Sequence, residues 1–256
     1  MKSYGFFKTL CLYQMKLATI YLTCLLIVSC HNSNIVRPNL QKHIDYINHI
    51  KEIPDNDSAL VGYFKDSCSK AELISLIWSQ SAIAKVIAYR ALVDRNESEF
   101  FELLKENLSD TTKVVWWYFD DAADEYTVAD LMIQKAKRKL SSLQKDSLVE
   151  LVLNKYLYLQ YANWMIEDIK PQEKYYQIIR HEALLKKGFC NQARAIYGLA
   201  KYKKAEDVDL IRNYLINHSN ECAFLSYKII RVFPDVQPKS SNFLIDSSYF
   251  DKAPEW

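Results

Sequence analysis

Apolar residues recur at intervals of three and four along most of the chain, the spacing that lines one face of an α-helix. Leu40, Ile44, Ile47 and Ile50 form a first stripe, ended by Pro54. A long segment from about Lys70 to Val93 carries Leu73, Ile74, Ile77, Trp78, Ile83, Val86, Ile87 and Leu92, and the polar stretch Asp94 to Glu97 breaks it. Phe100, Leu103, Leu104 and Leu108 then open a shorter amphipathic helix. Further helices are expected over Val114 to Ala123, Val128 to Leu140, Leu148 to Ile169, Pro171 to Gly188, Ala193 to Tyr202, Val208 to Ile216 and Ala223 to Phe233. Local chemistry supports several of these ends. Thr127 can accept a free amide as N-cap, Pro171 suits a first turn, Gly188 suits a C-cap, and Pro234 cannot continue the last helix.

The order of long helix, short break and second helix returns several times. One helical hairpin cannot bury its apolar face alone, so a series of them stacks. Two stretches carry a specific pattern. Ala193-Arg194-Ala195-Ile196-Tyr197-Gly198-Leu199-Ala200-Lys201-Tyr202 is followed by a polar turn, Lys203 to Asp207, and then by Val208, Leu210, Ile211, Tyr214 and Leu215. Ala88-Tyr89-Arg90-Ala91-Leu92 precedes a turn from Val93 to Ser98 and then Phe100, Leu103, Leu104 and Leu108. Both resemble units of the HEAT repeat family, whose first helix ends in small residues and leucine. Leu92 and Leu199 are 107 residues apart, three intervals of about 36, within the span of helical repeats. The units between, Trp116 to Leu140 and Leu148 to Lys187, lack the small-residue signature, and neither visible copy has the family's aspartate-proline turn. The resemblance implies an all-α fold, a right-handed α-solenoid of about four antiparallel helical hairpins of HEAT/ARM type. A plain irregular helical bundle is the alternative.

The front end carries an address. Ile27-Val28-Ser29-Cys30 closes an apolar run and a polar segment follows at once. This resembles the lipobox of bacterial lipoproteins, which implies cleavage before Cys30 and lipid on its sulfur. Read from Met1 the leader is long and carries Lys2, Lys8, Gln14 and Lys16; read from Met15 it is compact, so Met15 is the expected start. Leu17 to Val28 is 12 residues, short of the roughly 20 that a spanning helix needs. Each buried acyl methylene contributes about 0.8 kcal/mol, so several chains hold a protein on a membrane. No acidic run follows Cys30, and in Bacteroidetes-type lipoproteins such a run resembles the surface-export signal, which points to an outer-membrane anchor facing the periplasm. The expected division is leader 1–30, tether 31–38, N-terminal capping helices 39–69, repeat domain 70–233 and tail 234–256.

Charge changes meaning once the leader is set apart. The whole chain has 33 Lys and Arg against 31 Asp and Glu, but Lys2, Lys8 and Lys16 lie in the leader. The basic excess of a nucleic-acid binder is therefore missing, and no nucleic-acid partner is expected. Glycine is scarce, with Gly62, Gly188 and Gly198 after the leader. Phosphate loops, nucleophile elbows and tight hairpins need glycine at unusual backbone angles, and this chain can hardly supply it. Cys68, Cys190 and Cys222 remain beyond Cys30. Three buried thiols are the plainer reading. If one bond forms, Cys190 with Cys222 is favoured, since both would sit on successive helices of one repeat region.

Candidate chemistry is thin. His43 and His49 are six apart and face different sides of a helix, and His181-Glu182 has no second histidine at the spacing zinc requires. Asp120 and Asp124 would share a helical face, with Asp121 and Glu125 beside them, but a solvated turn before the helix opened by Thr127 explains them. No catalytic residue, cofactor or metal ligand is assigned. The run Lys135 to Lys139 reads as a solvated face that can also touch anionic headgroups. Aromatic residues are plentiful, and repeat proteins bind along an extended surface. Trp117, Tyr118, Tyr158 and Tyr161 are the expected recognition set. The sequence thus points to a lipid-anchored scaffold that binds an envelope protein without catalysis. The alternatives are a lipid-anchored glycan or peptide binder and, behind it, a hydrolase.

Overall fold

A computed structural model describes residues 37–49, 52–53, 58–119, 122–185, 188, 190–218 and 222–238. Cys30, the start at Met15, the leader and most of the tail lie outside the described residues.

The described chain is mostly helical. Its helices are α1 (Pro38–His49), α2 (Ser58–Ser67), α3 (Lys70–Ile77), α4 (Ala82–Asp94), α5 (Phe100–Asn107), α6 (Val128–Ala136), α7 (Ser142–Lys155), α8 (Gln160–Asp168), α9 (Glu173–Leu184), α10 (Asn191–Ala200), α11 (Val208–His218) and α12 (Ala223–Val232). Several helix starts follow from side-chain oxygens that take the free amides of a first turn. Ser69 accepts from the Glu72 amide and the Glu72 carboxylate accepts from the Ser69 amide, which closes a capping box on α3. Ser141 and Gln144 do the same for α7, Ser81 caps α4, and Thr127 caps α6 by accepting from the Asp130 amide.

Three departures from the sequence reading concern element boundaries. The segment from Lys70 to Val93 is two helices, because the chain turns over Trp78 to Ser81 and restarts at the Ser81 cap. Leu148 to Ile169 is likewise broken between Lys155 and Gln160, with no glycine or proline there to announce it. Gly188 is not the cap of the helix that precedes it, since α9 ends at Leu184.

The largest correction falls on Val114 to Ala123, expected to be a helix. It is a hairpin. Strand β2 (Lys113–Phe119) pairs antiparallel with β3 (Ala122–Thr127), and the short β1 (Glu52–Ile53) adds a parallel edge to β2. The run Val-Val-Trp-Trp-Tyr-Phe is β-branched and aromatic, the composition that suits a pleated surface. Val114 and Trp116 are buried while Val115 and Trp117 are half-buried, the alternation of a strand. Asp124 therefore stands opposite Trp116 on a strand and shares no helical face with Asp120; Asp120 and Asp121 themselves lie outside the described residues.

Packing follows a simple order. Helices α4, α6, α8, α10 and α12 touch in series, and α5, α7, α9 and α11 lie against this row, with α7 also meeting α9. Helices α6, α8, α10 and α12 begin at Val128, Gln160, Asn191 and Ala223, at intervals of 32, 31 and 32 residues. The interval from α4, which begins at Ala82, to α6 is longer because the hairpin is inserted there. Apolar side chains fill the row in two blocks, one from Leu40 to Ala162 and one from Leu153 to Val236, and Leu157 packs against both.

Two cross-links tie adjacent members of the row. Cys190 and Cys222 form a disulfide, with sulfurs 2.09 Å apart, and they stand at the N-caps of α10 and α12. Cys68 is free and buried. The second tie is steric: Gly198 of α10 lies so close to α8 that an added Cβ would stand 2.6 Å from Ile166 Cγ2 and 3.1 Å from the Ile166 carbonyl oxygen.

Candidate functional site

The row presents a continuous ladder of cations and aromatic rings. Each helix contributes residues at three- and four-residue spacings, which places them on one face. Tyr161, Trp164 and Glu167 come from α8; Arg194, Tyr197 and Lys201 come from α10 or its C-cap; Phe224 and Lys228 come from α12; Lys137 is the C-cap of α6.

The contacts run without interruption across the four helices. The Lys137 ammonium lies 5.3 Å from the Tyr161 ring centroid, and Tyr161 stacks on Trp164 at 6.4 Å. The Arg194 guanidinium covers Trp164 at 4.2 Å and donates to the Glu167 carboxylate at 3.2 Å. Lys228 donates to the other Glu167 oxygen at 3.0 Å and also covers Phe224 at 4.3 Å and Tyr197 at 5.6 Å. Lys201 covers Tyr197 at 4.8 Å, and its ammonium donates to the carbonyls of Glu167 and Ile169. Those carbonyls end α8, where a cation is favoured by the helix dipole.

Part of this ladder is structural. Glu167, whose side chain is mostly buried, joins α8 to Arg194 of α10 and Lys228 of α12, and so keys three helices of the row together. Desolvation lowers the pKa of Lys201 and of Lys137, Arg138 adding to the second, and it raises that of Asp168, with Glu167 adding to the effect. What remains available is the outer part. Trp164 is 40 % exposed although the Tyr161 ring and the Arg194 guanidinium fix its orientation, and Lys137 and Arg138, at the end of α6, are exposed.

The recognition set expected from sequence is only partly assembled. Tyr161 belongs to the ladder but is buried, so its π face is taken up by Trp164 and Lys137 rather than turned to solvent; desolvation raises its pKa. Trp117 donates its indole N–H to the Glu52 carboxylate at 2.7 Å and so fastens β1 to β2. Tyr158 is 58 % exposed, with Tyr156 edge-on at 6.1 Å and the Leu108 carbonyl 3.5 Å from its hydroxyl. The side chain of Tyr118 lies outside the description. Trp164, Glu167, Arg194, Lys201 and Lys228 were missed. Shifting the sequence on itself by 30 residues brings Trp164 onto Arg194, and by 31 brings Tyr197 onto Lys228, which is the signal that would have found them.

Elsewhere the polar groups serve the fold. An open depression of about 520 Å³ is lined by Arg37, Ser67, Cys68, Ser69 and Glu72. Arg37 occupies it as a clamp, donating to the Glu72 carboxylate at 2.8 Å and to the Ser67 carbonyl. His43 rests on Tyr63, and the His218 ring stacks on Tyr214. Among the described residues no group of three His, Cys, Asp or Glu side chains is placed to hold a metal ion. No protein-family model, curated protein or solved structure matches the chain.

Proposed function

We propose that the chain is a membrane-tethered helical-repeat scaffold of the bacterial cell envelope, held by lipid on Cys30 at the outer membrane and facing the periplasm. It acts by binding another envelope protein, without catalysis. Its repeat domain is a right-handed α-solenoid of HEAT/ARM type. The recurrence of α6, α8, α10 and α12 at 31 to 32 residues supports that reading, with the hairpin β2–β3 as an insertion between α4 and α6. A Cys190–Cys222 disulfide suits an oxidising compartment. No helix among the described residues is long and apolar enough to cross a membrane.

One observation carries the binding role. Trp164 is held rigid by Tyr161 and Arg194 yet stays partly open on the face of the helical row. Tryptophan, tyrosine and arginine are the residues that dominate interface energetics, and a side chain already immobilised loses little entropy on binding. A photoreactive amino acid placed at Trp164 in intact envelopes should trap a discrete protein adduct, whereas one at Ile216, exposed on α11, should not. Absence of any Trp164 adduct would remove the scaffold reading. Tyr158, exposed and edge-on to the half-buried Tyr156, also suits stacking against sugar rings. Titration of intrinsic tryptophan fluorescence with oligosaccharides tests that alternative, and a flat response would discard it.

A further inference from the structure

We propose that the ladder across α6, α8, α10 and α12 receives an extended acidic segment of a partner polypeptide, with apolar residues alternating among its carboxylates. The proposal rests on the scaffold reading above and names the chemistry of its partner. Among the described residues, Lys137, Arg138, Arg194, Lys201 and Lys228 gather around Glu167 and Asp168, five cations to two carboxylates. Glu167 is already satisfied by Arg194 and Lys228. The excess is positive, and Lys137 and Arg138, both exposed, supply its open end.

Spacing favours a strand. Neighbouring helices pack at about 8–10 Å, so three gaps along the row cover roughly 24–30 Å. An extended chain rises about 3.3 Å per residue, and some nine residues cover that length. Its side chains point alternately to opposite faces. Those on the face toward the row meet Trp164 and Tyr197 as well as cations, which calls for both apolar and acidic residues. A polypeptide is favoured over a bilayer because Trp164, 40 % exposed under the Arg194 guanidinium, offers a fixed ring to an apolar side chain next to an acidic one. Desolvation already penalises the charged forms of Lys137 and Lys201, and an arriving carboxylate stabilises them.

The test uses the full chain in detergent and three probes: a fluorescent peptide of about nine residues with Ser at every second position and Glu and Phe taking turns between, so that one face of the strand carries both, the same peptide with Lys for Glu, and phosphatidylglycerol vesicles. The acidic peptide should bind, and its affinity should fall at least about tenfold between low and high salt, as charge-steered contacts do. Lys137→Glu with Arg138→Glu should weaken it by a similar factor; both residues lie outside the Glu167 clamp, so the fold should be retained. Trp164→Ala should weaken binding and leave the salt dependence in place. Equal binding of the acidic and basic peptides, or indifference to the charge reversals, would overturn the proposal. Preferential capture of the vesicles through Lys137 and Arg138 would overturn it in favour of a lipid surface. If the Trp164 crosslink persists while the acidic peptide fails, the scaffold reading stands and the acidic assignment falls; loss of the crosslink removes the scaffold reading itself.

Discussion

Asn96 and Lys203 hold the same backbone conformation at the same place in two turns that are 107 residues apart. Both lie in the left-handed region, with φ of 54° and 52°, and each donates its amide to the carbonyl three residues earlier, Val93 and Ala200 respectively. The separation equals that between Leu92 and Leu199 in the two stretches that resemble HEAT units. A shared strained turn at matching positions is a physical correspondence, and it goes deeper than the similarity of apolar residues.

Left-handed backbone costs a residue with a Cβ about 1–2 kcal/mol, and glycine escapes that cost. Part of the gain is lost because glycine has more freedom in the unfolded chain. Lys203→Gly should therefore stabilise the fold by about 0.5–1 kcal/mol, since the Lys203 side chain is exposed. Lys203→Val should do the reverse, because a β-branched residue tolerates this region poorly. Urea denaturation of the two variants decides the matter; equal stability would mean that the turn does not hold its conformation.

The helical rhythm was readable because most helices bury one stripe, and Thr127 could be named as a cap from its place before Val128. The hairpin was not. Val114 to Phe119 is apolar or aromatic at every position, so neither a two-residue nor a 3.6-residue period is visible in it, and only its β-branched and aromatic composition argued for a strand. The breaks at Tyr156 to Leu159 and Trp78 to Ser81 carry no glycine or proline. The period was overestimated at about 36 because the interval from Leu92 to Leu199 includes the hairpin. That same error hid the ladder: Arg194 stands 30 residues after Trp164 and Lys228 31 after Tyr197, close to the helix recurrence of 31 and 32 and far from 36.

Gly198 illustrates how the row is packed. In an isolated helix alanine is better than glycine by up to about 1 kcal/mol. Here the new methyl would strike the branched Cγ2 of Ile166 and approach its backbone oxygen, neither of which can swing aside as a flexible chain end does. Overpacking of this kind costs about 1–3 kcal/mol, so Gly198→Ala should lower stability by about 1–2 kcal/mol despite its better propensity. A double-mutant cycle with Ile166→Ala should show favourable coupling. Independent, additive effects would mean that α8 and α10 do not approach this closely at Gly198.

The disulfide should matter for the C-terminal part of the row. Cys190 and Cys222 close a loop with a sequence separation of 32, and the chain-entropy relation gives about 3–4 kcal/mol for a loop of that size. The paired replacement of Cys190 and Cys222 by serine should lower the denaturation midpoint accordingly, and a reducing agent should reproduce the loss in the unaltered chain. A midpoint indifferent to both would show that the packing of α10 on α12 alone holds this region.

The Arg37 clamp makes stability depend on acid. The guanidinium hydrogen bonds hold the Glu72 carboxyl at about 2, well below its ordinary value of 4.5, against the opposing effect of desolvation; the Ser69 amide adds to the lowering. A carboxylate that is more acidic in the folded state stabilises the fold above its unfolded pKa, and the contribution drains away as pH falls through the interval between the two values. Between about pH 4.5 and 2 the folded chain must therefore lose stability through Glu72. Arg37 is half-exposed and screened by water, which limits the contribution to about 0.5–1 kcal/mol. Glu72→Gln should lower stability at neutral pH by about that amount and flatten the acid limb of the stability curve, because the capping of α3 by Ser69 survives while the ion pair does not. Arg37→Gln should act in the same direction with Glu72 intact, by letting its pKa rise. Denaturation curves collected from pH 7 to pH 2 for the three proteins would show the two variants converging on the parent at low pH; parallel curves would mean that the clamp contributes nothing to folding.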